Sequence, residues 1–125
     1  MNEEIFMPLK MQNSYVQGSN NETRNIHEAK KYNSKLEELP EIINNTIGAG
    51  NIYTSIGDLI KFGNFQLQQN NSKVLSNNAL IEMQTYKDSN AFFPFHKDTF
   101  YGLGWYVKPN DNGYRIIWHE GGMMG

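Results

Sequence analysis

Hydrophobic and polar positions divide this chain into stretches of different period. Residues 2–7 read as the last turn or two of a helix, because Pro8 disfavours helical backbone at Met7 and has no N–H to donate. Residues 1–11 are therefore expected to be the end of a helix. Residues 12–50 are polar and weakly periodic, with Gly18, paired asparagines and Pro40 as breakers. They predict a long irregular excursion, with room for a short helix over residues 28–36. Connections of that length usually carry a function or are disordered.

Periodicity sharpens after Gly48-Ala49-Gly50. Ser55 followed three residues later by Asp58 resembles a capping box, and Ile56, Leu59, Ile60 and Leu67 recur at helical spacing, predicting a helix over residues 56–69. Gly63 in its middle costs about 1 kcal/mol against Ala and suggests close packing there. A second helix is expected from Ser76 to about Thr85, with Leu75 and Leu80 placed for a hydrophobic staple. Residues 51–86 thus read as two amphipathic, packed helices, and 87–99 as a loop. The last third switches to strand chemistry. Residues 100–107 and 114–119 are aromatic and β-branched runs, and Lys108-Pro109-Asn110-Asp111-Asn112-Gly113 between them is turn-forming. A β-hairpin is expected over residues 100–121. Gly102 and Gly104 mark a bulge or a close backbone approach within it.

Composition narrows the classes. With 125 residues, 38% of them hydrophobic and 13% aromatic, the chain suits one α+β domain or part of one. Eleven basic against thirteen acidic residues, interspersed, offer no phosphate-neutralising face, so nucleic acid is not expected as a partner. The absence of Cys excludes disulfides and thiolate chemistry. No window approaches the ~18 apolar residues of a membrane segment, and Met1-Asn2-Glu3-Glu4 is acidic where a signal peptide starts basic. Seventeen asparagines, often doubled, add a loop-rich bias.

The stretch Trp118-His119-Glu120-Gly121-Gly122 carries the most chemistry. It places an imidazole at a strand end beside backbone that a substrate can approach, and N–H groups that can hold a carbonyl oxygen. The same stretch also reads as a strand-to-turn junction with a surface histidine. His119-Glu120 does not complete H-E-x-x-H, because position 123 is Met, and His27-Glu28 fails likewise at Lys31. Neither a metal nor a cofactor is expected. His96 lies in a loop beside aromatic residues. Trp105, Tyr106 and Trp118 suit either a stacking platform or one face of a core. Glu4 and Asp58 read as helix-end charges.

Four segments in order carry a resemblance: Pro8-Leu9-Lys10-Met11 (P-L-G-M), residues 48–59 GAGNIYTSIGDL (A-G-G-L-x-S-T-x-x-D-L), Tyr101-Gly102-Leu103-Gly104-Trp105 (Y-G-L-G-W) and His119-Glu120-Gly121-Gly122 (H-x-G-G). Together they resemble the serine β-lactamase-related family, which includes class C β-lactamases, penicillin-binding-protein-like carboxypeptidases, D-aminopeptidases and esterases. The resemblance implies an antiparallel sheet flanked by helices, only partly present in these residues. It also implies a nucleophilic Ser with Lys in S-x-x-K, a Tyr in Y-x-N, and a strand motif K-T-G or H-x-G facing them. By position, His119 stands for the strand motif's Lys or His and Gly121 for its Gly. The Gly122 N–H stands for the strand's oxyanion donor, and substrate binding falls to His119, Glu120 and Gly122.

None of the seven Ser has Lys three residues on, and no Tyr has Asn two residues on. Ser19-Asn20-Asn21 and Ser76-Asn77-Asn78 match only the looser S-x-N, at the frequency chance supplies in so Asn-rich a chain. In the family both missing motifs precede P-L-G-M, so they are expected upstream of Met1. Lys10 occupies the family's turn Gly, and Asn51 a position usually small, where Asn tolerates a left-handed turn.

The leading expectation is an internal piece of a serine hydrolase acting on an amide, ester or D-amino-acid peptide, inactive without its nucleophile. Its small-molecule or peptide substrate belongs to the full-length protein. The alternative is a non-catalytic relative or remnant that binds through the aromatic hairpin.

Overall fold

A computed structural model of the chain describes residues 1–17, 29–40, 49–67, 73–85, 98–109 and 112–122. Two units divide it, one of residues 1–63 with 121–125 and the other of residues 64–120.

In the first unit, Asn2–Phe6 forms a short π-helical turn, with the Met7 N–H donating to the Asn2 carbonyl ahead of Pro8. Phe6, Leu9 and Met11 are buried. Lys10 between them adopts φ 57°, the left-handed conformation a glycine takes without cost. The turn therefore survives the substitution, and the Lys61 ammonium donates to the Lys10 carbonyl at 2.6 Å. Strand β1 (Ser14–Val16) pairs antiparallel with β2 (Ile52–Thr54), and Tyr15 stacks on its cross-strand partner Tyr53, ring centroids 5.0 Å apart. The stretch expected to be irregular thus supplies a strand, and residues 51–86 hold a strand besides two helices. Gly50, at φ 78°, takes the left-handed turn residue before β2, so Asn51 does not need it. Asn51 is instead buried, its carbonyl accepting the Gln17 N–H. Residues 29–40 contain no helix. Asn33 Oδ1 accepts the N–H groups of Lys35 and Glu37, an Asx-type turn that closes a Tyr32–Glu38 bridge and diverts the backbone from helical bonding. Gly18, residues 41–48 and residues 86–97 lie outside the described residues.

Helix α1 (Ile56–Gln66) starts at Ser55, whose Oγ accepts the Asp58 N–H at 3.2 Å. Its apolar stripe does not face inward. Ile56, Leu59, Ile60 and Leu67 are 75%, 49%, 57% and 61% exposed, and among the described residues nothing beyond the helix's own neighbouring backbone lies within 4 Å of where a Gly63 side chain would begin. The covered face is instead that of the buried Asp58, Phe65 and Gln66, with Lys61 and Phe62 half-buried beside them, an i, i+3, i+4, i+7, i+8 set. Asp58, 1% exposed, is far more than a helix-end charge: its carboxylate accepts the Asn13 N–H at 2.7 Å, the Ser14 hydroxyl at 2.9 Å and the Lys61 ammonium at 2.7 Å. Burial pushes the Asp58 carboxyl upward, but the Lys61 hydrogen bond, then those of Asn13 and Ser14, outweigh it and hold the group below its ordinary value.

In the second unit, helix α2 (Asn77–Met83) is capped by Ser76, whose hydroxyl accepts the Ala79 N–H. Ser76-Asn77-Asn78 is therefore a helix start. Leu80 and Phe65 are almost fully buried. The expected hairpin is a three-stranded antiparallel meander of β3 (Phe100–Tyr101), β4 (Tyr106–Pro109) and β5 (Arg115–Trp118), in that order. Its first arm breaks at Gly102–Trp105, where the Gly102 N–H donates to the Trp105 carbonyl and Gly104 takes φ 80°. Gly113, at φ 77°, precedes β5.

Candidate active site

The Y-G-L-G-W turn decides what His119 meets. A side chain at Gly102 would begin 2.7 Å from the Met83 carbonyl oxygen, so only glycine fits where the end of α2 crosses the turn. That carbonyl also accepts the Leu103 N–H at 3.0 Å. The chain then reverses, and register pairs Tyr101 with Tyr106 and Tyr106 with Trp118. Cross-strand partners share a sheet face, so the three rings form one row across three strands. Their centroids are 5.1 Å apart for Tyr101–Tyr106, edge to face, and 5.5 Å for Tyr106–Trp118. Tyr106 is buried and Trp118 half-buried, so both act as packing rings and not as an open platform.

His119 follows β5 directly. Its imidazole stacks on Tyr106 at 5.2 Å with 15° between planes, and its Nε2 lies 3.0 Å from the Tyr101 hydroxyl. Two tyrosines from the ends of one turn therefore hold the ring of an otherwise exposed histidine. Beneath the sheet's start, the Arg115 guanidinium donates to Gln84 Oε1 at 3.1 Å, and Gln84 Nε2 donates to the Gln66 carbonyl and side-chain oxygen at 2.9 and 3.0 Å. Gln66 and Gln84 are buried, so this chain of amides ties the ends of both helices to β5.

Glu120, Gly121 and Gly122 are exposed, and among the described residues no atom beyond the chain neighbours lies within 4 Å of where a side chain at either glycine would begin. Their backbone is open to an approaching molecule. Sequence reasoning singled out His119 but missed its hydroxyl partner, although Tyr101 heads the Y-G-L-G-W segment. His27, His96 and Ser19 lie outside the described residues. Among the described residues no three acidic or histidine side chains converge as metal ligands, and no helix is long and apolar enough to cross a membrane.

The fold is shared with solved structures. The octameric penicillin-binding protein homologue from Pyrococcus abyssi superposes with a TM-score of 0.69 at 20% identity, over 93% of this chain and 26% of its own. The D-stereospecific amidohydrolase from a Streptomyces species gives 0.68 at 25% identity, over 99% of this chain and 36% of its own. The chain thus spans between a quarter and about a third of these neighbours' length. No curated protein matches it. The beta-lactamase family profile matches residues 1–125, the whole stretch over which the four motif segments occur in order. By that match and the shared fold, the chain belongs to the beta-lactamase family.

Proposed function

We propose that these residues form the sheet-side half of a serine acyl-transfer site, with His119-Glu120-Gly121-Gly122 as its H-x-G-G strand motif. The observation that carries this reading is the exposed glycine pair immediately beyond the edge strand and its tyrosine-held histidine. In that reading His119 contacts the substrate, Gly121 admits it close to the backbone, and the Gly122 N–H supports the oxyanion as the acyl-enzyme forms. Glu120, exposed between His119 and the glycines, joins them in substrate binding in this reading. The nucleophile and its base come from S-x-x-K and Y-x-N outside these 125 residues. Amides of D-amino acids are the substrate class we favour, after the neighbouring D-stereospecific amidohydrolase. Reading the aromatic hairpin as a non-catalytic binding platform is less well supported, because Tyr106 and Trp118 are spent on packing.

Incubating the purified chain with a fluorescent penicillin or phosphonate tests the division of labour. No stoichiometric label is expected, since no Ser here has its Lys, and clear labelling would overturn the reading. Joined to an in-frame upstream segment carrying S-x-x-K and Y-x-N, the chain should acylate, and His119→Ala should slow acylation tenfold or more.

A further inference from the structure

We propose that Tyr101 is a positioning residue for His119, its hydroxyl fixing the imidazole as the Nδ1–H tautomer so that an uncharged donor faces outward. The inference deepens the role proposed for His119 and rests on it only for its use in catalysis. Nε2 is engaged by the Tyr101 hydroxyl at 3.0 Å, whereas Nδ1 meets no partner among the described residues. Either atom of that pair could formally donate. A phenol O–H, with an ordinary pKa of about 10, is a stronger acid and so a better donor than a neutral imidazole N–H, and the imidazole lone pair, whose conjugate acid has an ordinary pKa of about 6.5, is a far stronger base than a phenolic oxygen. The stronger arrangement has the Tyr101 O–H donating to Nε2, which leaves the proton on Nδ1.

Stacking fixes the plane of the imidazole, and the Tyr101 hydroxyl selects Nε2 within that plane. Tyr106 lies under the imidazole at 5.2 Å and 15°, while Tyr101 stands edge-on to both rings, 5.1 Å from Tyr106 and 6.1 Å from His119. The consequence is chemical. A neutral His119 with Nδ1–H outward offers a donor to a substrate carbonyl or carboxylate oxygen without carrying the charge of a Lys at the same place. A free imidazole favours the other tautomer, with its proton on Nε2, so the hydroxyl has a measurable task.

Nitrogen-15 chemical shifts of the histidine side chains, recorded on the full chain above the imidazole pKa and assigned with His119→Ala, read the tautomer directly. Wild type should show His119 as Nδ1–H, and Tyr101→Phe, which keeps the ring and removes only the hydroxyl, should return it toward Nε2–H. An Nε2–H His119 in wild type, or an unchanged tautomer in Tyr101→Phe, overturns the proposal. The wild-type spectrum decides even if the variant does not fold. Because the readout needs no substrate, an Nδ1–H His119 in a protein whose acylation is indifferent to His119→Ala would keep the tautomer control and discard the catalytic role.

Discussion

Replacing Asp58 is the most informative perturbation of the fold. Its carboxylate is 1% exposed and gathers the Asn13 N–H, the Ser14 hydroxyl and the Lys61 ammonium within 2.9 Å. In Asp58→Ala the Asn13 N–H loses its acceptor in partly buried surroundings, costing about 1–3 kcal/mol, while the Ser14 hydroxyl, which also meets Thr54 Oγ1 at 2.8 Å, loses about 1 kcal/mol. Lys61 has a side chain 42% exposed, so water takes over its charge and its share stays below about 1 kcal/mol. The expected loss is therefore about 2–5 kcal/mol, a large part of the ~5–15 kcal/mol available to a domain. Asp58→Asn, which keeps the shape and one acceptor, should lose about half as much. Urea unfolding at neutral pH, followed by circular dichroism, measures both. An Ala variant within about 0.5 kcal/mol of wild type, the range of a neutral surface change, would refute the assignment. The pH dependence has a fixed sign. The folded-state value of Asp58 is lowered, so its ionic contribution is fully present above the unfolded carboxylate's pKa of about 3.9 and disappears as pH falls through the folded value. The gap between wild type and Asp58→Asn should accordingly narrow below about pH 4, and a gap that widened on acidification would contradict it.

Lys10→Gly should stabilise the chain by about 1 kcal/mol, because a left-handed residue at φ 57° loses its side-chain strain; unfolding midpoints check the direction. Gly102→Ala should destabilise by about 1–3 kcal/mol, since its methyl group meets the Met83 carbonyl at 2.7 Å, and thermal melting reads the loss. Ser76→Ala should remove about 1 kcal/mol of helix capping and Ser76→Asp should retain it, a contrast visible in urea midpoints.

The strand chemistry of the last third was legible because aromatic and β-branched runs bounded by turn residues leave few alternatives. Its division into three strands was not. What broke the first arm was the crossing of the Met83 carbonyl over Gly102, a contact between residues about twenty positions apart that no local pattern records. The same holds for the site. His119 beside two glycines was visible as a chemistry-bearing cluster, but its Tyr101 and Tyr106 partners follow from strand register, which the turn at Gly102–Trp105 sets.

Helix α1 shows why apolar spacing alone misplaces a face. Ile56, Leu59, Ile60 and Leu67 recur correctly for one side of a helix, yet that side is the exposed one. Asp58, Lys61, Phe62, Phe65 and Gln66 recur equally well, one or two positions along, and theirs is the side on which Asp58, Phe65 and Gln66 are buried. The second set looks polar only if each residue is scored as though it met an apolar neighbour. Asp58 is satisfied by two partners from the segment around β1 and by Lys61 one turn on, and Gln66 by Gln84, so burying them leaves few polar groups stranded, while Phe65 supplies the apolar area. Periodicity identifies candidate faces, and the long-range hydrogen-bond partners decide between them. For α1, the residue that discriminates is Asp58, a charge whose spacing from Phe62 and Phe65 marks the inward side once Asn13 and Ser14 are seen to meet it.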